Sequence, residues 1–294
     1  MKKIELMFIK DISKTIVKDH PFEGRGGCII IGAGPGDPEL ITVKAVKYLQ
    51  SAEVILADRL VSNEIISRYA SPHAKIIFVG KEGGKAHSVS QEKTNRLLLQ
   101  YTLQGKLVVR LKGGDVAFFS NVLDELATLR CFNIPYEIVP GITAASGASA
   151  YSGIPLTARG FARGVRFQTF SSQNNFSEKY WNELAHTEDT IVFYMCGGLW
   201  RRLADNLLEH SSMAEKKLAV IEQATTPFQK VFVYSFDELK KQKPLREYVS
   251  PSLIIVGKVV ALHEQFAWKE NDGWETKNYF NPINSKIFNK VLIN

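Results

Sequence analysis

Cysteine is scarce in this chain. Its three, Cys28, Cys131 and Cys196, lie far apart with no C-x-x-C pair, which argues against a disulfide framework or a structural zinc site and fits a reducing compartment. The six histidines form no H-x-x-x-H or H-E-x-x-H group, so no metal is expected. Long hydrophobic runs are also missing. Stretches such as Ser252-Leu-Ile-Ile-Val-Gly257 are strand-sized, far short of the ~20 residues that a membrane span needs. Lys2, Lys3, Glu5, Lys10, Asp11 and Lys14 break up the N-terminus, which therefore has no signal-peptide core. The expectation is a soluble, cytoplasmic protein with no membrane partner. No G-K-[ST] follows any glycine-rich loop, which excludes a P-loop nucleotide hydrolase.

What is present suits a folded enzyme-sized chain. At roughly 100–200 residues per domain, 294 residues suggest two domains or one large one. Hydrophobic residues at 45% and charged residues at 23% exclude wholesale disorder. Lysine and arginine number 37 against 30 acids, a net charge of +7 that favours an anionic partner. A nucleic acid is not expected to be that partner.

Short β-branched runs bounded by Gly, Pro or charge recur at Cys28 to Ile31, Val54 to Ala57, Ile76 to Val79, Leu107 to Leu111 and Tyr136 to Val139. They read as strands covered on both faces. Between them lie the helical patterns Val43 to Ala52, Gln91 to Leu103 and Val122 to Cys131, as in a parallel α/β sheet. A small-residue stretch, Gly141 to Gly153, interrupts this order. Strands resume at Val165 to Phe170, Thr190 to Tyr194, Leu218 to Glu222, Lys230 to Tyr234 and Leu253 to Val256, with a helix at Leu199 to Leu208. Their closer spacing suggests a mixed sheet. The expected organisation is an N-terminal extension over 1–26, an α/β domain over 27–140, a second over 141–264, and a tail over 265–294. That tail holds six Asn with little periodicity and reads as poorly ordered or partner-binding.

Three motifs carry chemistry. Ile31-Gly32-Ala33-Gly34-Pro35-Gly36-Asp37-Pro38-Glu39-Leu40 follows the first strand, where glycines let a ligand approach the backbone. Asp37 stands where a third glycine of G-x-G-x-x-G would be. A tight turn with Asp37 capping a helix that starts at Pro38 is an equal reading. Leu111-Lys-Gly-Gly-Asp115 lies at a strand's carboxyl end, where open α/β sheets bind ligands. Asp115 there is either a ligand acceptor or a helix N-cap. Val139 to Thr157 (V-P-G-I-T-A-A-S-G-A-S-A-Y-S-G-I-P-L-T) packs many small residues between prolines. By spacing alone Asp58 also falls near the ribose position of a dinucleotide site, so a nicotinamide-dependent dehydrogenase stays open here.

Together with Ala57-Asp58-Arg59-Leu60-Val61-Ser62 and Val79-Gly80-Lys81, these motifs resemble the uroporphyrinogen-III C-methyltransferases among the tetrapyrrole methylases. The resemblance runs in order over roughly residues 27–268. It implies an α/β fold of two domains, with a parallel-type N-terminal sheet, a mixed C-terminal sheet and the cofactor cleft between them. It also implies S-adenosyl-L-methionine as cofactor, a homodimer, and methylation of uroporphyrinogen III at C2 and C7 to precorrin-2, towards sirohaem or cobalamin. By resemblance, Pro35, Gly113, Gly114, Asp115, Phe118, Thr143, Ala144, Met195 and Ala224 contact the cofactor. Asp58 is the proton acceptor and Lys81 the proton donor, and His87 borders the tetrapyrrole. Lys81, Lys85, His87, Arg159, Arg163 and Arg166 would form a basic wall for a substrate rich in carboxylates.

The chain departs from the family's wording on the substrate side. Gly113-Gly-Asp-Val-Ala-Phe-Phe-Ser-Asn-Val-Leu-Asp-Glu125 lacks an arginine and three glycines common in relatives. Leu156-Thr-Ala-Arg-Gly-Phe161 lacks a histidine, and Gln168-Thr-Phe-Ser171 replaces a T-G-H-like end. Methylation of a later precorrin and a non-catalytic cofactor-binding homologue are therefore the alternatives. With 26 residues before the first strand region, a stand-alone methylase is expected rather than one fused to a sirohaem-forming module.

Overall fold

The computed structural model describes residues 22, 25–80, 90–171, 176–209, 215–241, 246–271 and 278–280. Two compact units divide it: one holds Ile41–Gly141 with the strand that ends before Ala33, the other Gly34–Leu40 and Ile142–Pro282. Among the described residues no helix is long and apolar enough to cross a membrane.

In the first unit β1 (Gly27–Gly32), β2 (Val54–Ala57), β3 (Lys75–Phe78), β4 (Leu107–Lys112) and β5 (Tyr136–Val139) form one sheet in the order β3-β2-β4-β1-β5. Every pairing is parallel. The helices are α1 (Val43–Ser51), α2 (Asn63–Tyr69), α3 (Gln91–Leu103) and α4 (Val122–Cys131). Alternation sends Ile29, Ile31, Val109 and Leu111 towards Leu49 of α1 and Ile65 of α2. Cys28, Ile30, Leu56 and Val108 face Leu98 of α3 and Leu129 of α4 instead. Burial on both faces explains why these strands read as continuous apolar runs. Thr42, Ser62 and Ser90 each cap the helix that follows by accepting a backbone N–H.

One feature of β4 breaks the apolar rule. Arg110 and Lys112 share a face with Val108, and both are only 3% exposed. They meet Glu125, wholly buried on the inner stripe of α4. Arg110 Nε donates to Glu125 Oε1 at 2.7 Å and Nη2 to Asp58 Oδ1 at 2.5 Å. Nη1 donates to the Leu56 and Leu111 carbonyls, both at 3.2 Å. Lys112 Nζ donates to both Glu125 oxygens, at 2.9 and 3.1 Å. Two cations and two carboxylates thus neutralise one another inside the sheet–helix layer. Burial works against the charge on Arg110, but Asp58 and Glu125 outweigh it and hold its pKa above the ordinary value. Burial, with Arg110 alongside, lowers that of Lys112.

The second unit has α5 (Ala144–Ser152), β6 (Val165–Thr169), α6 (Glu178–His186), β7 (Thr190–Tyr194), α7 (Trp200–Leu208), β8 (Lys217–Glu222), β9 (Lys230–Ser235), α8 (Phe236–Lys241), β10 (Ser252–Gly257) and α9 (His263–Phe266). The sheet order is β6-β7-β10-β8-β9. Only β6 and β7 pair in parallel, so the sheet is mixed. One face packs Phe193, Val220 and Ile254 under Trp181 of α6 and Leu203 of α7. The other packs Val192, Ile221 and Ile255 under Ala145 and Ala148 of α5.

Among the described residues of the tail, Trp268–Asn271 and Asn278–Phe280 are held against this unit by side-chain hydrogen bonds and rings. Such anchoring leaves no apolar period in the sequence.

Two outcomes follow from these buried groups. Glu125→Ala strands Arg110 and Lys112, so urea unfolding should show a loss of about 3–5 kcal/mol. Glu92→Ala, which breaks the exposed Glu92–Arg96 pair on α3, should cost no more than about 0.5 kcal/mol. Equal losses would contradict the network. Burial, and for Cys28 also Glu125, pushes the thiols of Cys28 and Cys196 up to about 12, while Cys131 is exposed. An aromatic disulfide reagent should therefore titrate one thiol quickly in the native protein and the other two only on unfolding.

Candidate functional site

The carboxyl ends of β1, β4 and β5 come together without side chains between them. A Cβ at Gly141 would lie 2.4 Å from the Gly114 carbonyl oxygen, and one at Gly32 2.7 Å from the same atom. Gly114 has φ +69, a conformation open to glycine at no steric cost. At Gly113 a Cβ would meet Leu60 at 2.9 Å. Asp115 ties this junction together: Oδ1 accepts from Ala117 N and Oδ2 from Gly141 N, both at 2.7 Å. The helix N-cap reading of Asp115 does not hold, because α4 starts only at Val122. Its carboxylate instead braces the β4 and β5 loops. Phe118 follows, 36% exposed, and Phe119 and Asn121 adopt left-handed φ of 51° and 52°.

Asp58 leaves the end of β2 with its own N–H on the Leu111 carbonyl at 2.9 Å. Its side chain is 28% exposed and is oriented by Arg110.

In the second unit three segments converge. The first is the loop Gly34–Asp37, with left-handed φ at Gly34 (+81) and Gly36 (+154). Asp37 Oδ1 accepts from Glu39 N at 2.9 Å, and a 3-10 turn begins at Pro38, close to the capping reading. The second is α5. A Cβ at Gly147 would sit 2.6 Å from Pro35 Cγ and 2.9 Å from Thr225 Cγ2. The third is the β8–β9 loop, whose Thr225 Oγ1 accepts from Asp37 N at 3.0 Å. Gly36 is equally confined, since a Cβ there would be 2.8 Å from Thr226 Cγ2. Position 147 of α5 is thus confined to glycine by the Pro35 ring and the Thr225 methyl group.

Thr143 caps α5 without a side-chain bond to the helix. Its Oγ1 shares a 2.7 Å hydrogen bond with the Tyr194 hydroxyl, which also accepts from Ala145 N at 3.1 Å. Ala144 is half-buried beside it. Met195, next along the chain, holds φ 60° with 58% of its surface exposed. Ala224 is buried within the β8–β9 loop. Tyr151 OH donates to Asp37 Oδ2 at 2.7 Å, and burial, together with that carboxylate, pushes the phenol up to about 12.

Arg159 and Arg163 flank an open cavity of about 350 Å³, lined also by Thr157, Ala158 and Ala162. Both are exposed. Arg166, expected in the same basic wall, is engaged elsewhere, at 2.6 Å from Glu183 and 3.0 Å from Asp189. Lys81, Lys85 and His87 lie outside the described residues.

Sequence reading passed over Arg110, Glu125, Tyr194, Thr225 and Gln229. A signal existed only for the first two: an arginine inside a buried strand and an acid on a helix's apolar stripe each demand a partner.

Comparison with known proteins places these features in a context. Residues 27–240 match the family model described as tetrapyrrole (corrin/porphyrin) methylases. The chain is 46% identical over 245 residues to siroheme synthase 2 of Aeromonas hydrophila, an alignment that takes in 83% of this chain and 51% of that one. It thus spans about half the length of the curated relatives it matches. Among solved structures it resembles uroporphyrin-III C-methyl transferase from Thermus thermophilus complexed with S-adenyl homocysteine, with TM-score 0.67 and 32% identity over 81% of this chain and 100% of that one. It also resembles a cobalt precorrin-4 methyltransferase, with TM-score 0.70 and 27% identity over 80% and 95%.

The convergence in the second unit makes a prediction of sign. In an ordinary helix Gly→Ala gains about 1 kcal/mol. Gly147→Ala should instead lower the urea midpoint, because neither the Pro35 ring nor α5 can give way freely. Gly198→Ala, where a Cβ meets nothing within 4 Å, should stay within about 0.5 kcal/mol of wild type. A stabilised Gly147→Ala would refute the close approach.

Proposed function

We propose, from the premise that this chain belongs to the tetrapyrrole methylase family, that it methylates uroporphyrinogen III at C2 and C7 with S-adenosyl-L-methionine, giving precorrin-2. The observation that carries this reading is the alignment with the whole of the Thermus enzyme, supported by the higher identity to siroheme synthases.

The residues fit the cofactor. In the second unit Pro35, Thr143, Ala144, Met195 and Ala224 belong to segments whose crowded positions are glycine, alanine or hydroxyl-bearing. Backbone groups there can meet the polar ends of a small zwitterionic nucleoside. Gly113, Gly114, Asp115 and Phe118 are the proposed contacts from the first unit. Bound S-adenosyl-L-methionine supplies an electrophilic methyl on a sulfonium.

The chain's own part is to orient the macrocycle and handle its charge and protons. An electron-rich pyrrole carbon needs alignment more than activation, so positioning supplies much of the acceleration. Attack leaves positive charge on the macrocycle. Asp58, its Oδ1 fixed by Arg110, is the proposed group that faces this charge and accepts the proton that the cationic macrocycle loses from a position other than the newly quaternary carbon. Lys81 as proton donor and His87 as a substrate neighbour rest on the family resemblance alone. Arg159 and Arg163 are the proposed carboxylate ligands, since both border an open cavity and arginine pairs well with carboxylates. A homodimer is the proposed assembly.

A later precorrin is the competing substrate, favoured by the likeness to the cobalt precorrin-4 enzyme. Anaerobic incubation with S-adenosyl-L-methionine and uroporphyrinogen III, followed by mass spectrometry, decides between them. The expected tetrapyrrole has gained two methyl groups. No gain from uroporphyrinogen III, with methylation of a precorrin offered in parallel, would overturn the substrate assignment.

A further inference from the structure

The β8–β9 loop is held in a conformation its residues do not favour. Gln223 and Thr225 have φ of 44° and 68°, left-handed values that a non-glycine residue holds only where the surroundings impose them. Some restraint is internal: Thr225 N donates to Gln229 Oε1 at 2.7 Å, and Thr226 Oγ1 to the Gln223 carbonyl at 2.8 Å. Gln223 N also donates to the Pro251 carbonyl at 2.7 Å and Asp37 N to Thr225 Oγ1 at 3.0 Å, and a further set of contacts comes from the C-terminal segment, beyond the residues that the family model matches.

Lys269 Nζ donates to the Thr226 carbonyl at 2.9 Å and lies 5.6 Å from the Tyr151 ring centre. Asn271 acts as a one-residue strand on the open edge of β9: its Oδ1 accepts from Val231 N at 2.8 Å and its Nδ2 donates to Val231 O at 3.0 Å. The Tyr279 N–H donates to Gln223 Oε1 at 2.6 Å, and its ring packs edge-on against Phe228 at 6.2 Å. Trp268 Nε1 fastens the same segment to the Ala150 carbonyl of α5 at 2.8 Å. The loop held in this way carries Ala224 and reaches Gly36 and Asp37 through Thr225 and Thr226.

We propose that Trp268–Asn271 and Asn278–Phe280 form a strap that positions the β8–β9 loop, with Lys269 and Asn271 as positioning residues that set the affinity for S-adenosyl-L-methionine. This rests on the functional reading above. The strap bonds to the loop that carries Ala224, so its loss should weaken cofactor binding and leave the tetrapyrrole KM in place.

The test compares the full chain with Lys269→Met/Asn271→Ala. Binding of S-adenosylhomocysteine is measured by calorimetry and backbone exchange over residues 223–230 by mass spectrometry. Loosening the loop in this way should weaken binding about tenfold and speed exchange in that loop. Lys216→Met is the control. Lys216 Nζ donates to the Ala185 and Thr187 carbonyls at 2.5 and 2.6 Å, at the end of α6 on the other face of the sheet. Its loss should lower Tm while Kd stays within about twofold. The strap is refuted if the double variant binds as wild type does, or if Lys216→Met weakens binding equally. Failure of the wild type to bind would overturn the functional reading itself.

Discussion

A methyl group at position 147 would stand 2.6 Å from the ring of Pro35, closer than carbon atoms pack. That single steric fact governs the second unit. It confines position 147 of α5 to glycine, in a cluster where the Gly34–Asp37 loop also meets Thr225. The same logic operates in the first unit at Gly32, Gly114 and Gly141, where the ends of three parallel strands approach without side chains between them. Ligand sites at the carboxyl ends of α/β sheets depend on such bare backbone.

The second constraint is electrostatic. Arg110 and Lys112 place two cations inside a layer that is otherwise apolar, and Glu125 with Asp58 neutralises them. Such a network adds little net stability compared with a hydrophobic replacement, but it is unforgiving of partial loss. Its consequence here is directional: the only partly exposed member, Asp58, is fixed at the end of β2 by a guanidinium whose Nε and Nη1 are committed to Glu125 and to the Leu56 and Leu111 carbonyls. A carboxylate held in this way is suited to facing a substrate that becomes positive as it reacts.

Much of this was legible in the residues. The strands Val54–Ala57, Tyr136–Val139 and Thr190–Tyr194 and the helices Gln91–Leu103 and Val122–Cys131 have the bounds that apolar periodicity indicates. The helices Asn63–Tyr69, Glu178–His186 and Phe236–Lys241 escaped notice. Each is short, and Ser62 and Ser177 announced two of them only through their caps. The glycine-rich motifs fall at the carboxyl ends of β1 and β4, where the chain approaches other segments closely. The motif at Asp115 suggests a helix cap as one reading, whereas its oxygens hold Ala117 and Gly141 and no helix starts there. The partners of Arg110, the tyrosine that organises Thr143 and the anchoring of Asn271 on Val231 are long-range pairings with no local period, so no pattern along the chain could reveal them.

The proposed transfer of methyl groups to ring carbons of uroporphyrinogen III can be followed by carbon-13 NMR. Turnover with S-adenosyl-L-methionine labelled at the methyl carbon should place two labelled methyl groups on the extracted tetrapyrrole, bonded to C2 and C7. Label that stays in the cofactor, or that is found on oxygen, nitrogen or other ring positions, would contradict it.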